Sequence, residues 1–494
     1  MGSSRKIGGV FWRSLGYLAG QAGLMAFSFI TFPLFTRLLS KGDYGLLSLT
    51  NTTLSMAGLV VGLGLPNAVV RFAPEYSSET VGDRGLRFNT TMLAGSTGIA
   101  ALGAILLVAV SSILNLPRDF QALAQTFQYV AVVLVARAAM NIVLEFFRVA
   151  RNVSGYNLIC FIQKINNVGF SILGYAVFRT LKGLLLGMAA GESAALLIGL
   201  GVAWRCDYWK RVPVIAGDFW KSVAFASPMM LGGVCASFMN FGDRYFLQGY
   251  RGPEELAGYV VAYDLCLYLQ VLLTTSFRLS ALPEIVSRYT AGGDAEAAKF
   301  LSKAFQYFSW LLIGVGFGSI AVGRQALTIL ASSKYADAGN LLPYLVPGIL
   351  IGGLGFLFAS GLYLKNRTGV WFGINAVFAA ANFGLNFLLI PKLGAKGAAI
   401  ATLLTYLGQT AAIILVSGRF LSVRFAGFSL LRTTGCGLVM FLAISWLSAG
   451  PRWIDNMPVK VILGVLVYGV LLVILEKQAR QLVRSIWSGR RYAN

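Results

Sequence analysis

Residues 124–147 read AQTFQYVAVVLVARAAMNIVLEFF, and only Arg137 and Glu145 in this run are charged. A helix of about 20 mostly apolar residues crosses the roughly 30 Å hydrocarbon core of a bilayer. Similar windows follow one another along almost the whole chain. They predict fourteen spans, at residues 10–35, 44–68, 89–112, 124–147, 155–178, 183–204, 222–248, 257–282, 305–323, 340–363, 370–390, 396–418, 429–449 and 458–476. The sequence therefore predicts an all-α integral membrane protein.

The composition supports this fold class and argues against an enzyme. The chain has 494 residues, of which 57% are hydrophobic and 12% charged, and its mean hydropathy is +0.71. It has no histidine, and its five cysteines lack metal-ligand spacing, so the usual zinc sites and Ser-His or Cys-His nucleophiles are missing. We predict no catalytic residue, no metal and no cofactor. The basic start Met1–Lys6 runs into an apolar stretch without a cleavage site, which indicates a first helix rather than a signal peptide.

The net charge of +22 would suggest a nucleic-acid partner in a soluble protein. Here the basic residues lie mainly in the short connections between predicted spans. Of the 41 Lys and Arg residues, 25 fall on the side of the termini, 12 in the opposite connections and four within spans. Cytoplasmic connections carry the excess of positive charge. Both termini are therefore predicted to be cytoplasmic, and no nucleic acid is expected to bind.

The chain also matches itself when it is shifted by 213 or 214 residues. The shift pairs Gly20 with Gly233, Gly45 with Gly258, Tyr76 with Tyr289, Asn152 with Asn366, and Lys182-Gly183 with Lys396-Gly397. We predict a duplicated six-helix unit: an N-lobe at 1–218 with helices 1–6, a C-lobe at 219–420 with helices 7–12, and a segment 421–494 with helices 13 and 14 and a basic cytoplasmic tail. Secondary transporters of this plan place the substrate between the halves.

Three stretches carry a family resemblance. RLLSKGDYG at 37–45 and GLGLPNAVVRF at 62–72 resemble the first two helices of polysaccharide-transport flippases of the Wzx type, and IPKLGAKGAAIAT at 390–402 is similar to their approach to helix 12. Together with the fourteen helices and the repeat, the resemblance covers essentially the whole chain. It places the chain in the superfamily that also holds lipid II flippases and multidrug antiporters.

The resemblance implies two six-helix lobes in a V around a cationic cavity that opens alternately inward and outward. The implied cargo is an undecaprenyl-diphosphate-linked oligosaccharide, such as an O-antigen, capsule or exopolysaccharide repeat unit, moved from the cytoplasmic to the outer leaflet of a bacterial inner membrane. Membrane lipids, a glycan polymerase and chain-length proteins are the implied partners, and a monomer is expected. The resemblance carries no fixed motif of site residues.

Candidate site residues therefore come from charges inside the spans, which normally face a cavity or a partner. On helix 4, Arg137, Asn141, Glu145 and Arg148 form one polar stripe at 100° per residue. On helix 5, Gln163, Lys164 and Asn167 share a face. We predict that Arg137 and Lys164 converge on a diphosphate; the alternative is that Glu145 neutralises one of them. Glu192 on helix 6 is interpreted as isolated and without a role.

Helix 8 repeats the pattern with Asp264, Tyr268, Thr275 and Arg278 on one face. Asp264 is either a proton or cation site or a structural partner of Arg278 or Arg244, and Glu145 is the other candidate for ion coupling. Asp243 and Arg244 are interpreted as a surface pair or as snorkelling side chains. The predicted diphosphate ligands are Arg137, Lys164, Arg278, Arg244 and Arg148, and the predicted polar lining is Asn141, Asn167, Gln163, Tyr268, Asn375, Asn382 and Asn386. Hydrogen bonding between helices would explain the asparagines without a ligand.

Three other functions remain open. A multidrug antiporter needs a membrane-embedded acid, and helix 1 at 10–35 contains neither Asp nor Glu; a lipid II flippase would differ only in cargo. A membrane-embedded glycan polymerase or ligase would place acids, bases or histidine on large external loops, whereas every predicted external connection has about twenty residues or fewer.

Overall fold

The computed structural model describes residues 2–77, 84–113, 117–365, 367–421, 423, 427–447 and 456–487. Asn366 of the predicted repeat and the tail residues Arg490 and Arg491 lie outside these ranges, as do the side chains of Thr275 and Trp487. The chain divides into two compact units, Met1–Ala257 and Gly258–Asn494, which are described separately below.

Unit 1 is built from helices. They are α1 (Gly2–Leu38), α2 (Lys41–Gly62), α3 (Leu65–Ser77), α4 (Arg84–Ile113), α5 (Arg118–Val149), α6 (Val153–Phe178), α7 (Leu181–Arg205), α8 (Ala216–Phe241) and α9 (Asp243–Arg251). Its core includes Leu65, Phe88, Ile142 and Phe147, none of which is exposed. By contrast, Leu102 of α4 is 68% exposed, as expected of a side chain that faces lipid.

Unit 2 is also helical where it is described. Its elements are α10 (Pro253–Leu330, which begins just before the unit), a 3-10 helix (Ser333–Leu341), α11 (Leu342–Leu364), α12 (Thr368–Leu393), α13 (Ala395–Ser417), α14 (Gly427–Leu447), α15 (Met457–Leu475) and α16 (Lys477–Trp487). Gly293 interrupts α10 with φ +67°, a conformation that suits glycine because it has no Cβ. The predicted spans 257–282 and 305–323 lie on either side of this break.

The predicted fold class is confirmed. Thirteen helical segments in the described part of the chain are long and apolar enough to cross a membrane. The predicted fifth span corresponds to α6, whose 26 residues extend about 39 Å at 1.5 Å per residue. Its polar residues, Lys164 among them, lower its mean hydropathy. Each of the fourteen predicted spans therefore overlaps a helix.

Two predicted spans end earlier than expected. The span predicted at 44–68 stops at Gly62 because Leu63 and Gly64 take φ of +47° and +68°, and α3 then begins next to Pro66, where proline is favoured. The span predicted at 222–248 is divided at Gly242 into α8 and the short α9. This division gives Arg244 a different environment from the one predicted, as shown below.

Candidate functional site

Helices α6 and α7 form a tight hairpin in unit 1 that positions the main polar cluster. The side chain of Asn152 accepts a hydrogen bond from the Gly155 N–H at 2.9 Å and so caps the start of α6. Arg179 ends α6 in the left-handed conformation, φ +54°, and Thr180 caps α7 through the Gly183 N–H at 3.2 Å. A turn of this length makes the two helices antiparallel neighbours.

Glycines let the two helix backbones approach closely. A Cβ on Gly187 would lie 2.0 Å from the carbonyl oxygen of Phe170, and one on Gly191 would lie 2.4 Å from that of Asn166. No larger side chain fits at either position. Small residues at helix contacts are the usual means of close packing inside membranes, and here they bring the polar face of α6 against Glu192, the residue after Gly191.

Glu192 is the centre of the cluster. Its side chain is 3% exposed. Oε1 accepts hydrogen bonds from Arg137 Nε at 2.8 Å and Asn167 Nδ2 at 2.8 Å, and Oε2 accepts one from Gln163 Nε2 at 2.9 Å. Three helices, α5, α6 and α7, are thus joined at one buried carboxylate.

The interpretation of Glu192 as isolated is therefore wrong. The sequence does carry a signal for its environment: Gly183, Gly187 and Gly191 recur every four residues along α7, the spacing of a close helix contact. A carboxylate beside such a face is expected to meet the partner helix.

The two cations of the cluster have hydrogen-bond donors that Glu192 does not use. Arg137 uses only Nε to bind Glu192, and its side chain is 28% exposed. Within the described ranges, no hydrogen bond reaches either Nη nitrogen of Arg137 or the Nζ of Lys164, which is half-buried and within electrostatic reach of both Arg137 and Glu192. The structure thus brings the predicted pair of cations together, along with Gln163 and Asn167.

The rest of the stripe predicted on helix 4, which is α5, lies apart from this cluster. Glu145, which is 9% exposed, accepts hydrogen bonds from Arg148 Nη1 at 2.9 and 3.1 Å. It pairs with neither Arg137 nor Lys164, so the alternative in which it neutralises them is wrong. Asn141 is exposed. Ligand roles for Arg148 and Asn141, and ion coupling by Glu145, stay predictions.

Arg244 and Asp243 are not surface residues. Their exposed fractions are 6% and 2%. Arg244 Nη1 donates to Ser48 Oγ at 2.8 Å and Thr52 Oγ1 at 3.2 Å, and its Cζ lies 4.8 Å from the centre of the Phe241 ring. The surface-pair and snorkelling interpretations are wrong because α9 packs inside unit 1 and holds Arg244 against α2.

In unit 2, Asp264 and Arg278 lie on one helix but far apart. α10 is unbroken between them, so the 14 residues that separate them along the sequence correspond to about 21 Å. They cannot pair, which removes that alternative. Asp264 is half-buried and within electrostatic reach of Tyr268, while Arg278 is exposed. Ion coupling by Asp264, diphosphate binding by Arg278 and a lining role for Tyr268 stay predictions.

Two of the asparagines predicted on helix 11, which is α12, make hydrogen bonds to another helix, as the alternative without a ligand expected, and the third bonds within α12. Asn382 Nδ2 donates to Thr405 Oγ1 of α13 at 3.0 Å, and Asn386 Nδ2 donates to Asn382 Oδ1 at 2.9 Å. Gln409 of α13 donates to Asn375 Oδ1 at 2.8 Å.

These contacts resemble those in unit 1. Asn382 and Asn167 are 215 residues apart, and Thr405 and Glu192 are 213 apart, close to the predicted repeat. Each unit thus joins an asparagine on one helix to an acceptor on the next. Only the unit 1 version is built on a carboxylate and two cations.

Comparison with known families gives a match to the first part of the chain. The model of the family described as "Polysaccharide biosynthesis protein" matches residues 9–288, more than half of the sequence. The match includes α5, α6 and α7, and therefore the whole Glu192 cluster.

Two curated proteins are similar to the chain, and solved structures match its fold. The lipid II flippase MurJ of Bacillus subtilis is 24% identical over 54% of this chain and 51% of its own length. The probable low-salt glycan biosynthesis flippase Agl15 of Haloferax volcanii is 22% identical over 40% of each. The structure of lipid II flippase MurJ in an inward closed conformation matches with a TM-score of 0.75, at 15% identity, over 95% of this chain and 99% of that one.

These findings confirm the resemblance that the sequence motifs indicated. The structural match shows a shared fold over nearly the full length. The chain spans only about half the length of the curated relatives it matches, so their activities bear on it as support for a proposal.

Proposed function

The chain belongs to the family of polysaccharide biosynthesis proteins, and from this premise we propose that it is a flippase for a lipid-linked oligosaccharide. The proposed cargo is an undecaprenyl-diphosphate-linked repeat unit, carried from the cytoplasmic to the outer leaflet by alternating access. No covalent bond forms or breaks. Both curated relatives are named as flippases, which supports the activity at this coarse level.

The observation that carries the proposal is the unused donor capacity of Arg137 and Lys164. A diphosphate presents several acceptor oxygens and more than one negative charge, and guanidinium and ammonium groups are its usual protein ligands. The Nη groups of Arg137 and the Nζ of Lys164 have no hydrogen-bond partner among the described residues. Two cations and one carboxylate leave this cluster with a net positive charge.

The exposed part of Arg137 gives the cluster an access route. A charged side chain at the centre of a bilayer costs about 2.5–3.5 kcal/mol when it faces lipid, so the exposed guanidinium is expected to face water. We assign the accessible side of Arg137 to the path of the headgroup, while the polyprenyl chain stays in the lipid. In this assignment Gln163 and Asn167 hold Glu192 in place through their hydrogen bonds to it.

Orientation and energy follow from the same proposal. In this proposal the protein lies in a bacterial inner membrane with both termini in the cytoplasm. The membrane potential is negative inside, so it favours outward movement of an anionic headgroup by about 2.3 kcal/mol per charge for each 100 mV. Ion exchange through Asp264 or Glu145 would add to this driving force. Glycan polymerase and chain-length proteins would receive the product.

Lipid II is the second candidate cargo. The full-length structural match is to a protein named as a lipid II flippase, and a curated relative bears the same name. Both cargoes would present a diphosphate to Arg137 and Lys164, so only the sugar part would discriminate them.

Transport in proteoliposomes tests the proposal. The unmodified protein should flip a fluorescent polyprenyl-diphosphate oligosaccharide, and Arg137→Ala and Lys164→Ala should each reduce the rate at least tenfold with the fold intact. The matched control is Arg179→Ala, which removes a positive charge at the end of α6, outside the cluster. If the unmodified protein moves no lipid-linked sugar but exchanges cationic drugs for protons, the flippase proposal fails.

A further inference from the structure

Glu192 has no role in the function proposed so far, although it is the most connected side chain of the cluster. Asn167 and Gln163 each donate one hydrogen bond to its oxygens, but these neutral amides leave the buried charge uncompensated. Arg137 supplies the compensating charge through Nε, at 2.8 Å, and its Nη donors are not used by Glu192. The same guanidinium can therefore bind Glu192 and a second anion.

We propose that Glu192 is a resident counter-anion that competes with the substrate's diphosphate for Arg137 and thereby sets how tightly the headgroup is held. This inference rests on the proposed function, because it assigns a role to Glu192 only if an anionic headgroup binds the cluster. Glu192 acts through Arg137, so it is a positioning residue.

The geometry gives the competition a direction. Glu192 is 3% exposed and Arg137 28% exposed, so the acid holds the guanidinium from the buried side while an anion approaches from the open side. The same cation would then lie between two anions. Charges interact strongly where water is excluded, so the Glu192 carboxylate lowers the affinity of Arg137 and Lys164 for a diphosphate.

A transporter benefits from such weakening. A carrier must bind its cargo well enough to load it and weakly enough to release it, since an over-stabilised complex would stop the cycle. Asn167 and Gln163 keep Glu192 fixed while the headgroup comes and goes, so the carboxylate is ready to recapture Arg137 at release. Thr405, the repeat-related residue in unit 2, carries no charge, so this counter-anion belongs to the N-terminal repeat.

Glu192→Gln tests the proposal because it removes the charge and keeps the size and polarity of the side chain. Binding of farnesyl diphosphate to the full-length protein in detergent should become at least fivefold tighter. Flipping at saturating substrate should become at least threefold slower while KM falls, a combination that a purely structural defect would not produce. Glu192→Asp keeps the charge but moves it one methylene group away from Arg137. Its Kd for farnesyl diphosphate should therefore lie between those of Glu192→Gln and the unmodified protein.

A double-mutant cycle shows whether Arg137 mediates the effect. In the Arg137→Gln background, Glu192→Gln should change the farnesyl diphosphate Kd less than twofold. Asp207→Asn, which removes a carboxylate from an exposed pair with Lys210, is the matched control and should leave Kd unchanged.

The outcomes separate the two claims. If the unmodified protein binds and flips the diphosphate lipid but Glu192→Gln binds no more tightly, or tightens equally without Arg137, the counter-anion is disproved and the flippase stands. If the unmodified protein neither binds farnesyl diphosphate nor flips the lipid, the proposed function fails and this inference with it.

Discussion

Arg137 Nε lies 2.8 Å from Glu192 Oε1, and the two residues are 55 positions apart in the sequence. This contact links α5 to α7, and Asn167 and Gln163 of α6 complete it. An ion pair at this depth is costly to form and costly to break. The position of Arg137 therefore depends on Glu192.

Removing the Glu192 carboxylate should destabilise the protein. Glu192→Ala leaves Arg137 and the amides of Gln163 and Asn167, all of them partly exposed, without their acceptor, and losing a hydrogen bond to a charged group costs about 1.5–3 kcal/mol. We expect Glu192→Ala to lower the Tm in detergent by several degrees and Glu192→Gln to lower it less, because the amide still accepts hydrogen bonds. Asp207→Asn is the control, and a Glu192→Ala protein as stable as the unmodified one would contradict the description of Glu192 as the centre of the cluster.

Separating α6 from α7 should impair both stability and transport. Gly187→Ala forces a Cβ to within 2.0 Å of the Phe170 carbonyl oxygen, and overpacking of this kind costs about 1–3 kcal/mol. The resulting shift also stretches the Asn167–Glu192 hydrogen bond, so flipping should slow. Gly169→Ala in α6, where a Cβ meets nothing within 4 Å, is the matched control; equal behaviour of the two variants would rule out the close contact.

Arg244 should not tolerate lysine. Lysine keeps the charge but lacks the planar guanidinium that lies over the Phe241 ring, and its shorter side chain withdraws the donor that Nη1 offers to both Ser48 and Thr52. Arg244→Lys is expected to cost about 1–3 kcal/mol through buried acceptors left unpaired, measured as a lower Tm. Arg251→Lys, at the exposed end of the same helix α9, should leave the Tm unchanged. A harmless Arg244→Lys would show that the buried contacts of Arg244 contribute little.

The sequence predicted the helices well because membrane spans depend on length and apolarity, which can be read locally. It also identified Arg137 and Lys164, since charges are rare enough at this depth to stand out. Their convergence was predicted from polar faces on two helices that follow each other in the sequence.

The predictions that were wrong concern contacts that depend on how helices pack against one another. The alternative in which Glu145 neutralises Arg137 or Lys164 is wrong because Glu145 binds Arg148, one turn away on the same helix. The partners of Glu192 lie on α5 and α6, and only the packing of both helices against α7 brings them to it. Arg244 was interpreted as a surface residue because the predicted span continued through Gly242, whereas the structure divides the helix there and buries Arg244.

The most direct test of the central claim compares two cargoes that differ only in headgroup charge. Proteoliposomes with the unmodified protein would be given fluorescent polyprenyl oligosaccharides joined through a diphosphate or through an uncharged linker of equal length, and the flipping rates measured. The diphosphate lipid should flip at least tenfold faster, and Lys164→Gln should reduce the ratio of the two rates. Equal rates, or faster movement of the uncharged lipid, would contradict the binding of a diphosphate by Arg137 and Lys164.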